Sequence, residues 1–315
     1  MKTVNLCNSG GRTSAYMTEK LLELQSKGYF SDIDFIITFA NTGREHEKTL
    51  EFVNNCAKRW YDLYCARVIW VEASVIHGLR MPTIHNVVDF KTASRNGEPF
   101  EEVVKKYGLP NGTFLHCTRE LKENPIISLM ESYGGKTGHT KDKTFVSATY
   151  ETWIGIRDDE PRRLGGNVDG KQYKRYPLAY EMQSECGRSV DLSCDKQDVL
   201  DFWEDMPFDL EIPEHQGNCV DCHKKSNKKL AMVHKETPEV FKFTAYLDNQ
   251  YSEVKAQVLG DKLIKRKRFR GYLDTEELIA TFKVNDFNPK TYDDESGGCG
   301  ESCEPFMMDN DIKIT

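Results

Sequence analysis

The chain of 315 residues, with 38% hydrophobic side chains, is long enough for one large domain, or for a main domain with an appendage. No apolar run approaches the roughly eighteen residues that a membrane span needs, and the first residues lack the basic and apolar regions of a secretory signal. With a net charge of −7 and neither segment, we expect a cytoplasmic protein without a membrane partner, whose ten cysteines are reduced.

Strand and helix signals alternate over residues 1–160. Short apolar runs predict strands at 3–7, 34–39, 66–72 and 143–149. Longer amphipathic segments predict helices at 14–27, 47–64 and 121–133, and helical signals return at 196–204 and after 238. The stretch 80–113 is predicted to be irregular or partly helical, because prolines interrupt it. The alternation is typical of an α/β fold with a parallel, doubly wound sheet, whose ligands bind at the carboxyl ends of strands.

A glycine turn connects the first predicted strand to the first predicted helix, in the segment Ser9-Gly10-Gly11-Arg12-Thr13-Ser14. Glycines let backbone N–H groups approach an anion, the helix N-terminus adds positive partial charge, and three hydroxyl side chains add donors. A phosphate or pyrophosphate group is therefore the expected ligand. The segment matches neither the Walker loop nor the glycine pattern of dinucleotide-binding folds.

Two further segments follow predicted strands. Asn41-Thr42-Gly43 comes after the second strand, where a turn needs no function. The segment Gly155-Ile156-Arg157-Asp158-Asp159-Glu160 follows the fourth strand, and Arg162 and Arg163 come directly after it. Guanidinium groups there offer bidentate contacts to a phosphate or sulfate, and the carboxylates could orient them or hold a metal ion. A charged surface turn is the simpler interpretation of this segment alone.

In this order on one sheet, the three segments resemble the SGGxxS loop, the D/N-T-G turn and the GIRxDE…R segment of phosphoadenosine phosphosulfate (PAPS) reductase-like proteins. These proteins belong to the adenine nucleotide alpha-hydrolase (PP-loop) superfamily, and the resemblance covers roughly residues 1–230. It implies a Rossmann-like parallel sheet in a nucleotide-binding domain at 1–164. A helical, cysteine-bearing C-terminal region would follow at 165–315.

The resemblance also implies roles for these residues. The segment 9–14 would cradle the phosphates of an adenine nucleotide, either PAPS or ATP, and the turn 41–43 would lie near the adenosine. Arg157, with Arg162 or Arg163, would clamp the distal phosphate or sulfate as a catalytic group. ATP pyrophosphatases have SGGxDS, whose aspartate helps to place Mg²⁺, and Thr13 stands at that position here. A role for Mg²⁺ therefore stays open, and sulfonucleotide chemistry is favoured.

Five cysteines suggest a metal centre. Cys219 and Cys222 form a CxxC motif, and Cys117 comes just before a predicted helix. Cys299 and Cys303 form a CxxxC motif in a glycine-rich tail. The CxxC, Cys117 and one tail cysteine, Cys303, would supply four thiolates to a [4Fe–4S] cluster or to zinc.

Three interpretations of these cysteines remain open. The resemblance favours the iron–sulfur cluster, because cluster-bearing sulfonucleotide reductases and thiolating enzymes of the superfamily have a CxxC after the nucleotide domain. Those reductases usually have a Cys-Cys pair where Cys117 is single. The second interpretation is zinc, held by four thiolates or by three thiolates with an imidazole from His116 or His223. The third is a redox dithiol or plain structural cysteines. The tail loosely resembles the E-C-G-x-H segment of PAPS reductases, in which Cys299 would be the catalytic thiol.

Charge is distributed unevenly along the C-terminal half. Residues 223–270 contain 13 Lys+Arg against 5 Asp+Glu, a net of +8, and residues 271–315 contain 3 against 11, a net of −8. A solvated surface is the simpler interpretation of the basic region. The alternative is a face that binds tRNA or DNA, in which case the enzyme would thiolate a nucleic acid after ATP-dependent adenylation.

We therefore predict a PAPS reductase-like oxidoreductase, or a PP-loop sulfurtransferase, with iron–sulfur-assisted chemistry on an adenine nucleotide. A reductant or a sulfur-donor protein is the expected partner. The alternatives are the thiolation of tRNA or DNA and a non-catalytic nucleotide-binding regulator with structural zinc, which the missing loop aspartate supports. Proteins that resemble this chain occur in phage genomes, and a phage-encoded enzyme would act in the host cytoplasm.

Overall fold

The central sheet is built from strands that alternate with helices along the chain. The computed structural model describes residues 1–136, 149–164, 173–183, 188–259 and 262–284. The strands of the sheet are β1 (Lys2–Asn8), β2 (Ile33–Asn41), β3 (Val68–Ser74), β4 (Ile84–Val88), β5 (Tyr150–Ile154) and β6 (Tyr173–Arg175). Two short antiparallel pairs join β7 (Met182–Gln183) to β8 (Ser189–Val190) and β9 (Gln257–Leu259) to β10 (Lys262–Ile264).

Helices surround the sheet and form most of the C-terminal part. They are α1 (Arg12–Ser26), α2 (Glu47–Tyr64), α3 (Glu98–Tyr107), α4 (His116–Thr118), α5 (Asn124–Ser132), α6 (Lys196–Glu204), α7 (Asn227–Glu236), α8 (Val240–Tyr251) and α9 (Thr275–Val284). A π-helical turn, Arg119–Glu123, joins α4 to α5, and short 3₁₀ turns lie at Pro161–Arg163 and Glu214–Gln216. None of the described helices has both the length and the hydropathy that crossing a membrane requires.

The order of the strands reverses at one place in the sheet. Within the described residues, the order is β4-β3-β2-β1-β5-β6, and neighbours run parallel except that β4 is antiparallel to β3. The predicted α/β class with a mostly parallel sheet is thus confirmed. The order reverses at β1, which has β2 on one side and β5 on the other. Open α/β sheets bind ligands beyond the carboxyl ends of strands at such a reversal, where the loop after β1 lies.

Both faces of the sheet are covered, which explains the continuous apolar runs of its central strands. Successive residues of a strand point to opposite faces. Accordingly, Leu6 of β1 packs in one cluster with Trp60 of α2, and the next residue, Cys7, packs in another with Ile126 of α5. All four side chains are buried.

The core of the sheet continues beyond the N-terminal half of the chain. Leu178, Trp203 and Ile212 belong to the same cluster as the β1 and α2 side chains, and β6 extends the sheet itself. A separate cluster, which includes Leu230 and Phe241, joins the helices α7, α8 and α9. The predicted division at residues 164 and 165 stays a prediction, and packing around the sheet reaches at least residue 212.

Three segments differ from the pattern that the sequence predicts. The stretch 80–113 contains β4, a half-exposed edge strand whose polar residues weaken the apolar signal, and also the helix α3. The helix predicted at 121–133 starts as a π-turn, because Pro125 lacks the N–H that an α-helix would pair with the carbonyl of residue 121. For the strand predicted at 143–149, residues 143–148 lie outside the described residues, and β5 begins at Tyr150.

Candidate functional site

The turn between β1 and α1 requires glycine at residue 10. Gly10 has φ +83°, and a Cβ atom there would lie 2.8 Å from Cγ2 of Thr49 and 3.0 Å from the ring of Phe39. Its N–H donates to Oδ1 of Asn8 at 2.8 Å, which closes the turn. Packing from α2 and β2 therefore fixes the backbone of the loop tightly.

One hydroxyl group of the loop, that of Ser14, has a structural role. Ser14 is buried, accepts the N–H of Ser9 at 3.0 Å and donates to the carbonyl of Gly11 at 3.0 Å, so its side chain holds the turn together. Helix α1 starts at Arg12, and no side chain caps its N-terminus. The uncapped first turn points its N–H groups toward the space above the loop.

That space is a cavity of about 330 Å³, which we call the loop cavity. Residues 9–13 border it, and so do three cationic side chains, Arg157, Arg163 and Lys196. Apolar side chains of α6 and of residues 210–213 also line it, and so do Glu214, Gly217 and Asn218. The combination of an uncapped helix end with several cations suits an anionic ligand.

Arg157 links the two sides of the loop cavity. Its side chain is almost fully buried, its Nε donates to Asp159 at 2.8 Å, and its Nη1 donates to Oγ1 of Thr13 at 3.3 Å. Arg163 also borders the cavity and pairs with Glu160. Arg162 is exposed and is not part of the lining, so Arg163 fits the predicted second arginine better.

Arg12 turns away from the centre of the loop. Its guanidinium forms an ion pair with Asp209 at 2.6 Å, and its backbone carbonyl accepts the indole N–H of Trp203 at 3.0 Å. Burial alone would raise the pKa of Asp209, but hydrogen bonds from Arg12 and from the N–H of Leu210 outweigh it and hold the pKa below its ordinary value. Arg12 thus ties the loop to the segment after α6.

The turn at 41–43 lies beside the CxxC motif and does not border the loop cavity. Asn41 is buried and donates to Glu72 at 2.6 Å and to the carbonyl of Ser94 at 2.8 Å. Oγ1 of Thr42 lies 3.4 Å from Sγ of Cys219. Gly43, with φ +75°, follows this contact in the same turn. The turn is not part of the loop-cavity lining and instead supports the CxxC motif.

Three of the predicted metal ligands come together. Cys117, Cys219 and Cys222 border one small buried cavity of about 20 Å³, together with His223. We call it the thiol cavity. Cys299 and Cys303 lie outside the described residues. Within the described residues, no group of three or more His, Cys, Asp or Glu side chains is already arranged to hold a metal ion.

Burial governs the protonation of these side chains. It raises the pKa of the Cys219 thiol to about 12, with a further contribution from the charge of Glu45, and it also raises the pKa of Cys117. Burial, together with the charges of Arg268 and Lys224, holds the pKa of His223 well below its ordinary value. The thiols of Cys117 and Cys219 are therefore protonated and the imidazole of His223 is neutral unless a cation binds.

A buried ion-pair cluster that the sequence analysis missed anchors the CxxC motif. Asp221, between the two cysteines, is fully buried and lies 2.9 Å from Arg44 and 3.7 Å from Arg268. It also accepts a hydrogen bond from the Thr244 hydroxyl. Burial would raise the pKa of Asp221, but the charges of the two arginines outweigh it and hold the pKa well below its usual range. A polar residue between the two cysteines of a CxxC motif does not by itself indicate a buried ion pair.

Several cations of the basic region 223–270 are bound internally. Lys225 is fully buried and donates to the carbonyls of His215 at 2.6 Å and Val220 at 3.0 Å. Lys229 pairs with Glu214 at 2.7 Å. These side chains hold the C-terminal part together, which reduces the charge available to a nucleic acid.

One short segment separates the loop cavity from the thiol cavity. Gly217 and Asn218 border the first, and Cys219 and Cys222 border the second. We call residues 217–222 the dividing segment. Backbone pairing fastens this segment to the turn after β2. Glu45 and Cys219 form an isolated antiparallel β-bridge, and the Val220 N–H donates to the Arg44 carbonyl at 3.0 Å.

No protein-family model matches the chain. It is similar to the uncharacterized nin region protein ORF290 of Escherichia phage lambda, with 30% identity over 315 aligned residues. The alignment covers 95% of this chain and 93% of ORF290, so the two proteins correspond over nearly their whole lengths. This relative comes from a phage, as the sequence led us to expect. The chain therefore belongs to the same family as the lambda nin region protein ORF290.

Proposed function

We propose that the chain is a PAPS reductase-like enzyme that binds an adenine nucleotide and carries out sulfur chemistry beside a thiolate-bound metal. The observation that carries the proposal is the dividing segment, because its two ends border different cavities. Only the dividing segment would separate a nucleotide in the loop cavity from Cys219 and Cys222. The metal centre would then lie close to the activated group, and the partner protein would supply the reductant or the sulfur.

The charges around the loop cavity support an anionic ligand. Arg157, Arg163 and Lys196 border a volume of about 330 Å³, which lies in the range of pockets for small organic ligands. Fixed positive charge beside a phosphate or sulfate stabilises the negative charge that develops on a leaving group. We assign this role to Arg157 and Arg163.

The contact between Arg157 and Thr13 supports a sulfonucleotide over Mg²⁺-bound ATP. The loop has no carboxylate at residue 13, and a guanidinium nitrogen lies 3.3 Å from the threonine hydroxyl instead. An arginine here supplies positive charge directly, whereas a carboxylate would supply a ligand for Mg²⁺. An adenosine phosphosulfate or bisphosphate needs no metal ion to be held in this way.

The thiol cavity suits a metal that prefers sulfur ligands. Cys117, Cys219 and Cys222 become thiolates when such a metal displaces their protons. The resemblance favours a [4Fe–4S] cluster at these thiols, and a single zinc ion is the alternative. The proposed chemistry rests on this site together with the cations of the loop cavity, because the two lie on either side of the dividing segment.

Calorimetric titration with adenosine 3′,5′-bisphosphate tests the proposal. We expect binding without Mg²⁺, and a loss of about 10- to 100-fold in affinity for Arg163→Ala, because one hydrogen bond to a charged group contributes about 1.5–3 kcal/mol. Arg162→Ala is the matched control, since Arg162 is exposed and outside the lining, and it should bind like the wild type.

Two results would overturn this assignment. One is the absence of binding to any adenine nucleotide, and the other is an equal loss for the Arg162 and Arg163 variants. Tighter, Mg²⁺-dependent binding of ATP than of the bisphosphate would instead favour the adenylation chemistry of a tRNA or DNA thiolating enzyme.

A further inference from the structure

Four side chains with metal-binding atoms border the thiol cavity, although the CxxC motif and Cys117 provide only three thiols. The fourth is His223, the residue directly after the motif. The exposed fractions are 8% for Cys117, 7% for Cys219, 4% for Cys222 and 4% for His223. The Cys222 N–H donates to the Cys219 carbonyl at 3.1 Å, and this tight turn brings residues 219, 222 and 223 to the same cavity.

The imidazole of His223 has a nitrogen that needs a partner. Its Nε2 is buried and has no hydrogen-bond partner within the described part of the chain. A buried polar nitrogen without a partner is costly, so its position calls for an explanation. By contrast, Nε2 of His116, the other histidine near the cavity, lies 3.0 Å from the carbonyl of Gly108.

We propose that Cys117, Cys219, Cys222 and His223 bind a single zinc ion, and that the metal centre of this protein is not an iron–sulfur cluster. The inference rests on the metal centre of the proposed function and names its ion and its fourth ligand. Three thiolates and one imidazole form a ligand set that closes a tetrahedral zinc site. The tail cysteines are then not needed as ligands.

The size of the cavity favours a single ion over a cluster. A volume of about 20 Å³ holds roughly one water-sized particle, which is also the scale of one metal ion. A cluster of four irons and four sulfides is several times larger. Side chains from α4, the CxxC turn and residue 268 surround the space closely. A cluster would require these elements to move apart, whereas a zinc ion would require only that the four side chains turn toward one centre.

The charge next to the cavity matches such a site. Arg44 and Arg268 face the single carboxylate of Asp221, and Lys122 also borders the cavity. Zinc with three thiolates carries one negative charge, which suits these positively charged surroundings. Arg268 borders the cavity, is 1% exposed, and its Nε and Nη1 have no hydrogen-bond partner within the described residues, so they can donate to zinc-bound sulfur.

Metal analysis of anaerobically purified protein, from cells supplied with both iron and zinc, tests the inference. We expect about one zinc per chain and no iron. After replacement of zinc by Co²⁺, the visible spectrum should have the bands of a tetrahedral ion with thiolate ligands. Chelator competition should then give a zinc affinity at least about 100-fold lower for His223→Ala, beyond the loss expected for an outer hydrogen-bond partner.

Two variants control for folding. His116→Ala should keep the zinc affinity of the wild type, because that imidazole already has a backbone partner. His223→Cys should retain zinc and add thiolate absorption to the Co²⁺ spectrum, which a merely structural histidine would not do. Circular dichroism verifies that each variant is folded.

The outcomes separate this inference from the function on which it rests. About four irons per chain, or zinc binding that His223→Ala leaves unchanged, would overturn the zinc site and leave the nucleotide proposal intact. A folded protein that binds no metal would overturn both the zinc site and the metal part of the proposed function. The bisphosphate titration, carried out on the same preparation, reports on the loop cavity independently.

Discussion

Removal of the charge of Asp221 should strongly destabilise the protein. Asp221→Asn keeps the shape of the side chain but leaves two guanidinium groups without their counter-charge. The side chains of Arg44 and Arg268 are 9% and 1% exposed, so water cannot replace the lost carboxylate. Breaking a buried pair in this way costs about 3–5 kcal/mol. That is a large part of the roughly 5–15 kcal/mol by which a typical domain is stable.

Asp209→Asn is the matched control, because it makes the same chemical change in an ion pair that water reaches. The side chains of Arg12 and Asp209 are 27% and 35% exposed, and their charged atoms lie 2.6 Å apart. Such pairs contribute about 0.2–1 kcal/mol. The two variants should therefore differ by at least about 2 kcal/mol in the free energy of unfolding, given those ranges.

Urea denaturation at neutral pH, followed by tryptophan fluorescence, measures both losses by linear extrapolation. A chelator in the buffer keeps metal binding out of the comparison. If Asp221→Asn unfolds with the midpoint of the wild type, or if both variants lose the same free energy, the buried cluster does not anchor the CxxC motif.

Three further predictions follow from single positions. Gly10→Ala should lose about 1–3 kcal/mol more stability than Gly28→Ala. Both glycines have positive φ angles, +83° and +84°, but only at Gly10 would the new Cβ meet a neighbouring atom, at 2.8 Å. Equal losses in urea denaturation would contradict this. Alkylation of the native protein, mapped by mass spectrometry, should modify the exposed Cys65 long before Cys194, whose pKa burial raises to about 12; early modification of Cys194 would refute its burial. Burial would raise the pKa of Glu151, but hydrogen bonds from a lysine and a tryptophan N–H and the charge of a nearby arginine hold it below the ordinary value. The stability lost in Glu151→Gln should therefore be complete at about pH 6 and shrink toward about pH 3, and a loss that does not change with pH would argue against the depressed pKa.

The strands β1, β2 and β3 and the loop after β1 were accessible from sequence because both depend on local pattern. A buried parallel strand gives an apolar run, and two glycines between such a run and an amphipathic helix indicate a tight turn wherever they occur. The helix predicted at 196–204 coincides with α6 for the same reason. The edge strand β4 escaped prediction, since a strand with only one partner and partial exposure lacks that run.

The sequence could not reveal contacts between distant charges. Asp221 reads as a surface residue until Arg44 and Arg268, far away in the chain, are seen to surround it. Likewise, nothing local distinguishes Arg162 from Arg163, and only the fold turns one of them toward the loop cavity. The separation of His223 from His116 as a candidate ligand depends on a backbone carbonyl at residue 108.

The fastening of the dividing segment has a consequence for the order of events during synthesis. Thr42 and Cys219 are in contact although they lie 177 positions apart in the chain. Contacts of such long range form only after the intervening chain has been made and has folded, because closing a long loop costs entropy before any contact is gained. A ribosome-bound chain that ends before residue 219 can complete its first strands but has neither a finished thiol cavity nor the wall between the two cavities. Capture of the proposed metal can therefore begin only after residue 223 has been made, and a chain truncated before the CxxC motif should accumulate without metal.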